Sequence, residues 1–484
     1  MRFNFKQIIR LLGLLIIFNG SFMATCIPFS LYYHESSWKS ILLSSVISIT
    51  TGLIIWFTLK SSEDTELRKR DGYLIVTFGW LTMSITGSLP YVFSGAIPHY
   101  ADAFFETISG YTTTGASILT DIESLPMGIL FWRSLTQWIG GMGIIVLAVA
   151  ILPILGIGGM QLFVAEAPGI SPDKLRPRIR ETAIRLWLIY VILTSMELIL
   201  LLLGGMSFFD AINHSLTTMA TGGFSTKDAS IAHFTNPFIH YVIIVFMFLA
   251  GTNFTLTYFG LHGQIKKIWQ NEEFRFYSIF TLIFGILIAL AIMGFTTEKF
   301  EPAFRGSLFM VVSIVSTTGY VTLDYTSIHS LITVIFFMLM FIGASAGSTA
   351  GGVKVIRHVI LVKNSLLELQ RLLHPNAVLP VRLNNKAVSK DITFNVLAFM
   401  IMYFMVFALG SVIMSLIGVD FSTALGSVAT SVGNIGPGIG TVGPVNNFAH
   451  IPFPGKWFLS FLMLLGRLEL FTVLILFSPY FWRN

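Results

Sequence analysis

One arrangement occurs four times along the chain: an apolar stretch of membrane-crossing length, a short helix-like segment entering a Thr/Ser-rich loop that ends in glycine, and a second long apolar stretch. The loops read Thr112-Thr113-Thr114-Gly115, Ala220-Thr221-Gly222-Gly223, Ser316-Thr317-Thr318-Gly319 and Thr430-Ser431-Val432-Gly433. Thirteen residues before the four glycines stand Asp102, Asp210, Gly306 and Asp420, so the register from helix start to loop glycine recurs in every copy. A pattern that returns with the same internal spacing implies one structural unit used four times, and it restricts the fold more than any single segment does.

Each unit reads as a membrane hairpin because the chain as a whole is far from soluble composition. Of its 484 residues, 54% are hydrophobic and 11% charged, with a mean hydropathy of +0.78. Ten stretches, from 8–31 and 40–59 to 392–417 and 457–477, approach or exceed the roughly 20 apolar residues that a bilayer core requires. The first is read as a retained helix, since no small-residue cleavage site follows it. A single cysteine, Cys26, excludes an intrachain disulfide and a thiolate metal cluster.

The net charge of +6 reports topology. Arg2, Lys6 and Arg10, then Lys60, Arg68, Lys69 and Arg70, then Lys174, Arg176, Arg178, Arg180 and Arg185, then Lys266, Lys267 and Arg275, and finally the cations of 354–390 all fall on one face if the N-terminus is cytoplasmic. This distribution leaves no nucleic-acid role for the basic excess. The expectation is an all-α polytopic membrane protein: four M1–pore helix–M2 repeats in a pseudo-fourfold arrangement plus two N-terminal transmembrane helices, with ten crossings, four re-entrant hairpins and both termini cytoplasmic. Its divisions are 1–70 (two leading helices), 71–160, 180–265 and 275–362 (the first three repeats), 363–390 (a cytoplasmic linker) and 391–484 (the fourth repeat).

The dipping segments, about nine residues long, would reach roughly 13 Å into the membrane, half its apolar depth. Asp102, Asp210 and Asp420 are residue types that cap helix N-termini, and each helix then aims its partly negative C-terminal end at mid-membrane, where a cation is stabilised. Gly306 is a weaker cap, without an explanation in the sequence. Non-helical backbone at this depth survives only where it is buried or lines a polar path. Glycine lets successive carbonyls turn toward one axis, and carbonyls from four strands can replace the hydration shell of a monovalent cation.

These residues resemble the Trk/Ktr/HKT superfamily of potassium transporters, and within it the TrkH-type subunits of bacterial Trk systems. The likeness spans nearly the whole chain. It rests on residues 112–116, Gln137-Trp138-Ile139-Gly140-Gly141-Met142-Gly143, Gly222-Gly223-Phe224-Ser225, the 343–354 segment, His374-Pro375-Asn376 and Gly466-Arg467-Leu468-Glu469. The resemblance implies a K+ filter formed by Thr113, Thr114, Gly115, Thr221, Gly222, Gly223, Thr317, Thr318, Gly319, Ser431, Val432 and Gly433. It also implies K+ as the transported ion, no organic cofactor, a homodimer in the bacterial inner membrane, and docking of a cytosolic nucleotide-binding regulatory subunit of TrkA type. Lacking the Tyr-Gly that follows the glycine in potassium channels, each copy implies a short filter.

Two features point to gating. Gly343-Ala344-Ser345-Ala346-Gly347-Ser348-Thr349-Ala350-Gly351-Gly352 interrupts the last crossing of the third repeat, and its glycines break or loosen that helix, each costing up to about 1 kcal/mol against alanine. Close helix packing through small residues is the alternative reading; the resemblance implies a loop obstructing the pore. Arg467 lies about ten residues inside the final apolar stretch, so it must face a cavity or a partner. Glu469, two residues away, points to a different helix face and is not its direct partner. The resemblance implies that Arg467 lies beside the pore and slows cations.

Gln137–Gly143 and 251–253 read as packing or bend sites. The 438–443 run matches a dinucleotide fingerprint only formally, since no strand precedes it and no helix follows. With no nucleophile beside a general base, the chain is not an enzyme by this reading. Acidic residues at depth are few, Glu197 and Glu469 chief among them, which favours channel-like conduction over a proton- or sodium-coupled symporter.

Overall fold

The computed structural model describes residues 3–59, 69–146, 179–377 and 379–483. Lys60, Arg68, Lys174, Arg176 and Arg178, together with the end of the apolar stretch running to residue 151, lie outside the described residues. Among those described, the chain is helical apart from one two-residue hairpin, Arg382–Leu383 with Lys386–Ala387. Asn384 and Asn385 turn that hairpin with φ of 48° and 65°, the paired left-handed geometry that a two-residue turn prefers.

Among the described residues, six helices are long and apolar enough to cross a membrane, or eight if each of two bent pairs counts as one span. The two further crossings of the expected ten correspond to the helix Met127–Val146, which carries Arg133 and Gln137, and to Ser330–Leu339, which stops at the glycine-rich loop. Phe5–Ala24 and Ser37–Thr58 form the leading hairpin and cross on small residues. A Cβ placed on Gly52 would lie 2.6 Å from the Gly13 carbonyl oxygen, and Ser45 donates to the Gly20 carbonyl at 2.8 Å, so the two backbones touch where lipid offers no hydrophobic drive. Large apolar side chains such as Ile54, Phe57, Leu203 and Leu416 are exposed around the periphery, as a lipid-facing surface requires.

Two apolar cores support the centre. One joins the second and third repeats, with Tyr190, Ile243, Phe309 and Phe336 among its members; the other joins the first and fourth repeats to the leading hairpin, with Trp132, Tyr111, Val428 and Leu462. Both cores draw on four short helices, Tyr100–Tyr111, Phe208–Met219, Phe300–Val315 and Phe421–Gly433, of 12, 12, 16 and 13 residues. They are longer than the nine residues expected: the first three begin before the spacing suggested, and the fourth runs on to Gly433. Asp420 is a true cap, accepting from the Thr423 amide at 3.1 Å. Asp102 and Asp210 instead lie in the first turn, behind caps at His99 and Ser207. Ser207 accepts from the Asp210 amide at 3.0 Å and donates to its carboxylate at 2.8 Å. Gly306 is no cap at all: the third helix begins further back, after Lys299, and Gly306 lies within it.

Candidate functional site

Each short helix ends in the same way. A residue with left-handed backbone closes it, and the glycine two positions on is left-handed again: Thr113 (φ 50°) with Gly115 (81°), Thr221 (54°) with Gly223 (75°), Thr317 (57°) with Gly319 (81°), and Asn434 (52°) with Gly436 (101°). The amides repeat too. Those of Thr114, Gly222, Thr318 and Ile435 donate to Ser109, Thr217, Ser313 and Thr430 at 2.8 to 3.0 Å, five residues back in every copy. A β-branched residue at positive φ is an outlier that costs of order 1–3 kcal/mol, and three such threonines at equivalent places mark a backbone held by its surroundings.

The fourth copy therefore corrects the expected register by three residues. Gly433 is still helical, and Ser431 and Val432 lie in the last helical turn; the loop glycine of this repeat is Gly436. Measured from Gly436, the cap Asp420 takes the same place as His99 and Ser207 do in the first two copies.

The four loops close a ring. A Cβ on Gly115 would collide with the Gly222 carbonyl oxygen, one on Gly223 with that of Thr318, and one on Gly319 with that of Ile435. On Gly436 it would lie 2.9 Å from that of Thr114, which completes the circuit. Only glycine permits this approach, since each position needs both positive φ and no side chain. The carbonyls preceding the glycines thus sit around one axis, edge to edge.

Side chains hold the ring from behind. Gln137 donates to the Gly222 carbonyl at 2.6 Å and accepts from the Phe224 amide at 3.0 Å, so a residue read as a bend or packing site clasps the second loop. Gly140 and Gly141 do pack closely, against Tyr111 and Ala220. Asn434 donates to Thr114 Oγ1 at 3.0 Å and to the Met463 carbonyl at 2.9 Å. Thr113 Oγ1, Thr430 Oγ1, Ser431 Oγ and Asn434 Oδ1 are buried polar atoms with no protein partner. Acceptors of this kind, with uncharged carbonyls, suit a weakly hydrated monovalent cation better than a divalent ion, which demands carboxylates. No cluster of three or more His, Cys, Asp or Glu occurs among the described residues.

Below the ring, residues 340–354 leave the helical path between Ser330–Leu339 and Val355–Leu373. The neck of this loop is pinned by Gly343 N–H to Val353 O at 2.7 Å and Val355 N–H to Ala344 O at 3.0 Å. Its tip touches three of the repeats. Thr349 donates to Met219 O at 3.0 Å, and Gly351 N–H donates to Thr317 Oγ1 at 2.7 Å. A Cβ on Gly351 would lie 2.7 Å from that of Asn434. Ala344, Ser345, Ala346, Ser348, Thr349 and Ala350 are buried, and Gly347 and Gly352 take positive φ.

Arg467 is 3% exposed and ends the helix Phe453–Arg467, where the final stretch bends by 111°. It donates to the Thr349 carbonyl at 2.9 Å and to the Gly140 carbonyl at 3.1 Å, tying the loop to the first and fourth repeats. A cation at a helix C-terminus is favoured by the unpaired carbonyls there. Glu469 pairs with Arg357 at 2.6 Å.

Besides Glu197, Asp71, Glu106 and Glu273 are buried, and sequence reasoning singled out none of the three. Glu273 accepts from the Ala346 amide at 2.8 Å. Glu106, in the first short helix, pairs with Arg133 at 2.6 Å. Glu197 is fully buried with neither oxygen bonded. At the opposite end from the loop, Thr423 and Ser422 bond the Asp420 carboxylate and hold it below the usual aspartate range.

Comparison with known proteins gives a consistent result. Residues 37–483 match the family model TrkH, described as cation transport protein. The Trk system potassium uptake protein TrkH of Salmonella typhimurium is 42% identical over 493 residues, covering 99% of this chain and 100% of that protein. The Trk system potassium uptake protein TrkG of Escherichia coli is 35% identical, covering 94% of each. Among solved structures, the potassium transporter TrkH from Vibrio parahaemolyticus superposes with a TM-score of 0.91 at 37% identity, covering 99% of this chain and 100% of that one.

Proposed function

The chain belongs to the TrkH family of cation transport proteins, and from that premise we propose that it carries potassium across the bacterial inner membrane through the ring formed by its four loops. The observation that carries this reading is the closed circuit of carbonyls before Gly115, Gly223, Gly319 and Gly436. A potassium ion entering the ring exchanges water for carbonyl oxygens, and the helix C-termini add partial negative charge along the path. Residues 343–352 form the gate, held shut by Arg467 and Thr317, and the chain works as a transporter rather than an enzyme.

Conduction down the electrochemical gradient is the preferred mechanism. Glu106 is neutralised by Arg133 and Glu273 is engaged by the loop, so neither offers an idle carrier for a second ion. Glu197, buried and unbonded, favours the second reading, a proton-coupled symporter. Reversal potentials of the purified protein in planar bilayers, taken in K+ and Na+ gradients at two pH values, separate the two. A channel follows the potassium equilibrium potential at both pH values; a symporter shifts with the proton gradient.

The family likeness also supports a homodimer and a cytosolic nucleotide-binding partner of TrkA type. The helix Val355–Leu373 supplies a surface for such a partner, with Leu366, Leu369, Leu372 and Leu373 exposed near Arg371. Sparse positive charge on the face where the short helices begin supports cytoplasmic termini.

A further inference from the structure

Nine residues before each loop glycine, a side chain is placed to reach the strand that climbs away from the ring, and its chemistry differs in every repeat. In the first, the Glu106 carboxylate accepts from Ser117 Oγ at 3.0 and 3.1 Å and from the Ile118 amide at 3.0 Å. In the second, His214 Nε2 shares a hydrogen bond of 3.0 Å with Ser225 Oγ. In the third, Met310 Sδ accepts weakly from the Thr322 amide at 3.5 Å. In the fourth, Ser427 turns back and donates to Ala424 O of its own helix at 3.2 Å. The support thus runs from a salt-bridged carboxylate to none, and charge-assisted bonds are roughly twice as strong as neutral ones.

Arg133 extends the strongest support to a second repeat. Its Nε meets Glu106 Oε1 at 2.6 Å, its Nη1 donates to the Ser225 carbonyl at 2.9 Å, and its guanidinium lies 3.6 Å from the centre of the Phe224 ring. Phe224 and Ser225 directly follow the second loop glycine, and Ser117 and Ile118 follow the first closely. Arg133 and Glu106 are 2% and 0% exposed. The pair is neutral overall, so it attracts no cation; what it does is hold two adjacent strands at a set separation. A buried pair is an expensive way to gain stability alone, because apolar residues of similar volume do as well or better.

We propose that Glu106 and Arg133 are positioning residues for ion discrimination: their pairing keeps the first and second loops from closing onto a smaller cation, and so favours K+ over Na+. The inference rests on the reading of the ring as a potassium path. A ring whose carbonyls can move inward accommodates the smaller ion, whereas one with stiff walls does not.

The test is the K+/Na+ permeability ratio of purified protein in planar bilayers under bi-ionic conditions, for Glu106→Gln, Arg133→Met and the double variant. Each single change should lower the ratio about tenfold, equivalent to about 1.4 kcal/mol. The double variant should regain thermal stability, since no lone buried charge remains, but not the ratio. Ser117→Ala, which removes one hydroxyl and leaves the pair intact, should lower the ratio about twofold and serves if the single variants do not fold. An unchanged ratio in folded Ser117→Ala and in the double variant overturns the proposal and leaves a structural brace. Wild-type protein that passes neither ion overturns the reading beneath it as well.

Discussion

The first two repeats and the last two use the same ring but support it differently. Behind the first and second loops lie a carboxylate, a guanidinium and the Gln137 amide, each bonded to the backbone it faces, and an imidazole bonded to the Ser225 hydroxyl. Behind the third and fourth the supporting groups are uncharged: the Met310 thioether, the Ser313 hydroxyl on the Tyr320 carbonyl, the Tyr325 hydroxyl on the Gly438 carbonyl and the Asn434 amide on the Met463 carbonyl. The loop of residues 343–352 reaches both halves, Thr349 bonding the Met219 carbonyl of the second repeat while Gly351 bonds Thr317 and packs on Asn434. A strand tied by buried charges resists displacement, because any movement strands a charge in low dielectric. A strand tied by neutral hydrogen bonds moves at a cost of about 1 kcal/mol for each bond broken. The halves therefore differ in their bracing: buried charges hold the first two loops, and in the second half a ring threonine, Thr317, bonds the 343–352 loop.

The largest effect expected tests the ring common to both halves. Gly436→Ala, with φ of 101° and the Thr114 oxygen 2.9 Å from the new Cβ, should cut K+ uptake by about a hundredfold, whereas helical Gly433→Ala stays within about twofold. Uptake by a transport-deficient host reports both, and the reverse ranking would restore the register first read from the sequence.

Next comes the loop proposed as the gate. Arg467→Ala removes two charged donors from the Thr349 and Gly140 carbonyls, and the basal K+ efflux rate of proteoliposomes should rise about tenfold. Shortening the 343–352 loop should act in the same direction, and unchanged flux in either variant counts against an obstructing loop.

A smaller change probes the half that is latched. Thr317→Val keeps the shape and removes the acceptor for Gly351 N–H, so efflux should rise about fivefold. Thr221, whose hydroxyl bonds only the adjacent Ala220 carbonyl, is the matching site in the braced half. An equal response to Thr221→Val would erase the distinction between the halves.

The smallest effect concerns stability alone. Asp420→Ala loses the cap of the fourth short helix, costing about 1 kcal/mol, and a thermal melt in detergent should show it. Its carboxylate is the form that caps, and its pKa is depressed in the folded state. The contribution is therefore complete at neutral pH and fades only as acid protonates the group.

How far the site was legible follows from which residue types carry it. Three loops were readable because Thr-x-Gly recurs, and the glycine run 343–352 announced a broken helix through propensity alone. The fourth loop was misread because Asn434 replaces threonine at the left-handed position. Asparagine is the more usual residue there, so Asn434-Ile435-Gly436 followed by Pro437 was the available signal. Arg467 was recognisable by its depth in an apolar stretch, but its two carbonyl acceptors come from segments 118 and 327 residues away. Glu106 and Arg133 gave no sign of pairing, since they lie 27 residues apart on different helices. On hydropathy, Arg133 reads as one more residue near the outer face.

The amino-acid sequence by itself determined the membrane class, the fourfold unit, the three Thr-x-Gly loops and the break in the third repeat. These depend on apolar length and on φ/ψ preference, which are local properties of a few residues. Tertiary structure alone decided the register of the fourth loop, the order in which carbonyls meet glycines around the ring, and the partners of Glu106, Arg133, Gln137 and Arg467. Those depend on which helices are brought side by side, and a buried charge or amide takes its meaning from the group it faces across the fold.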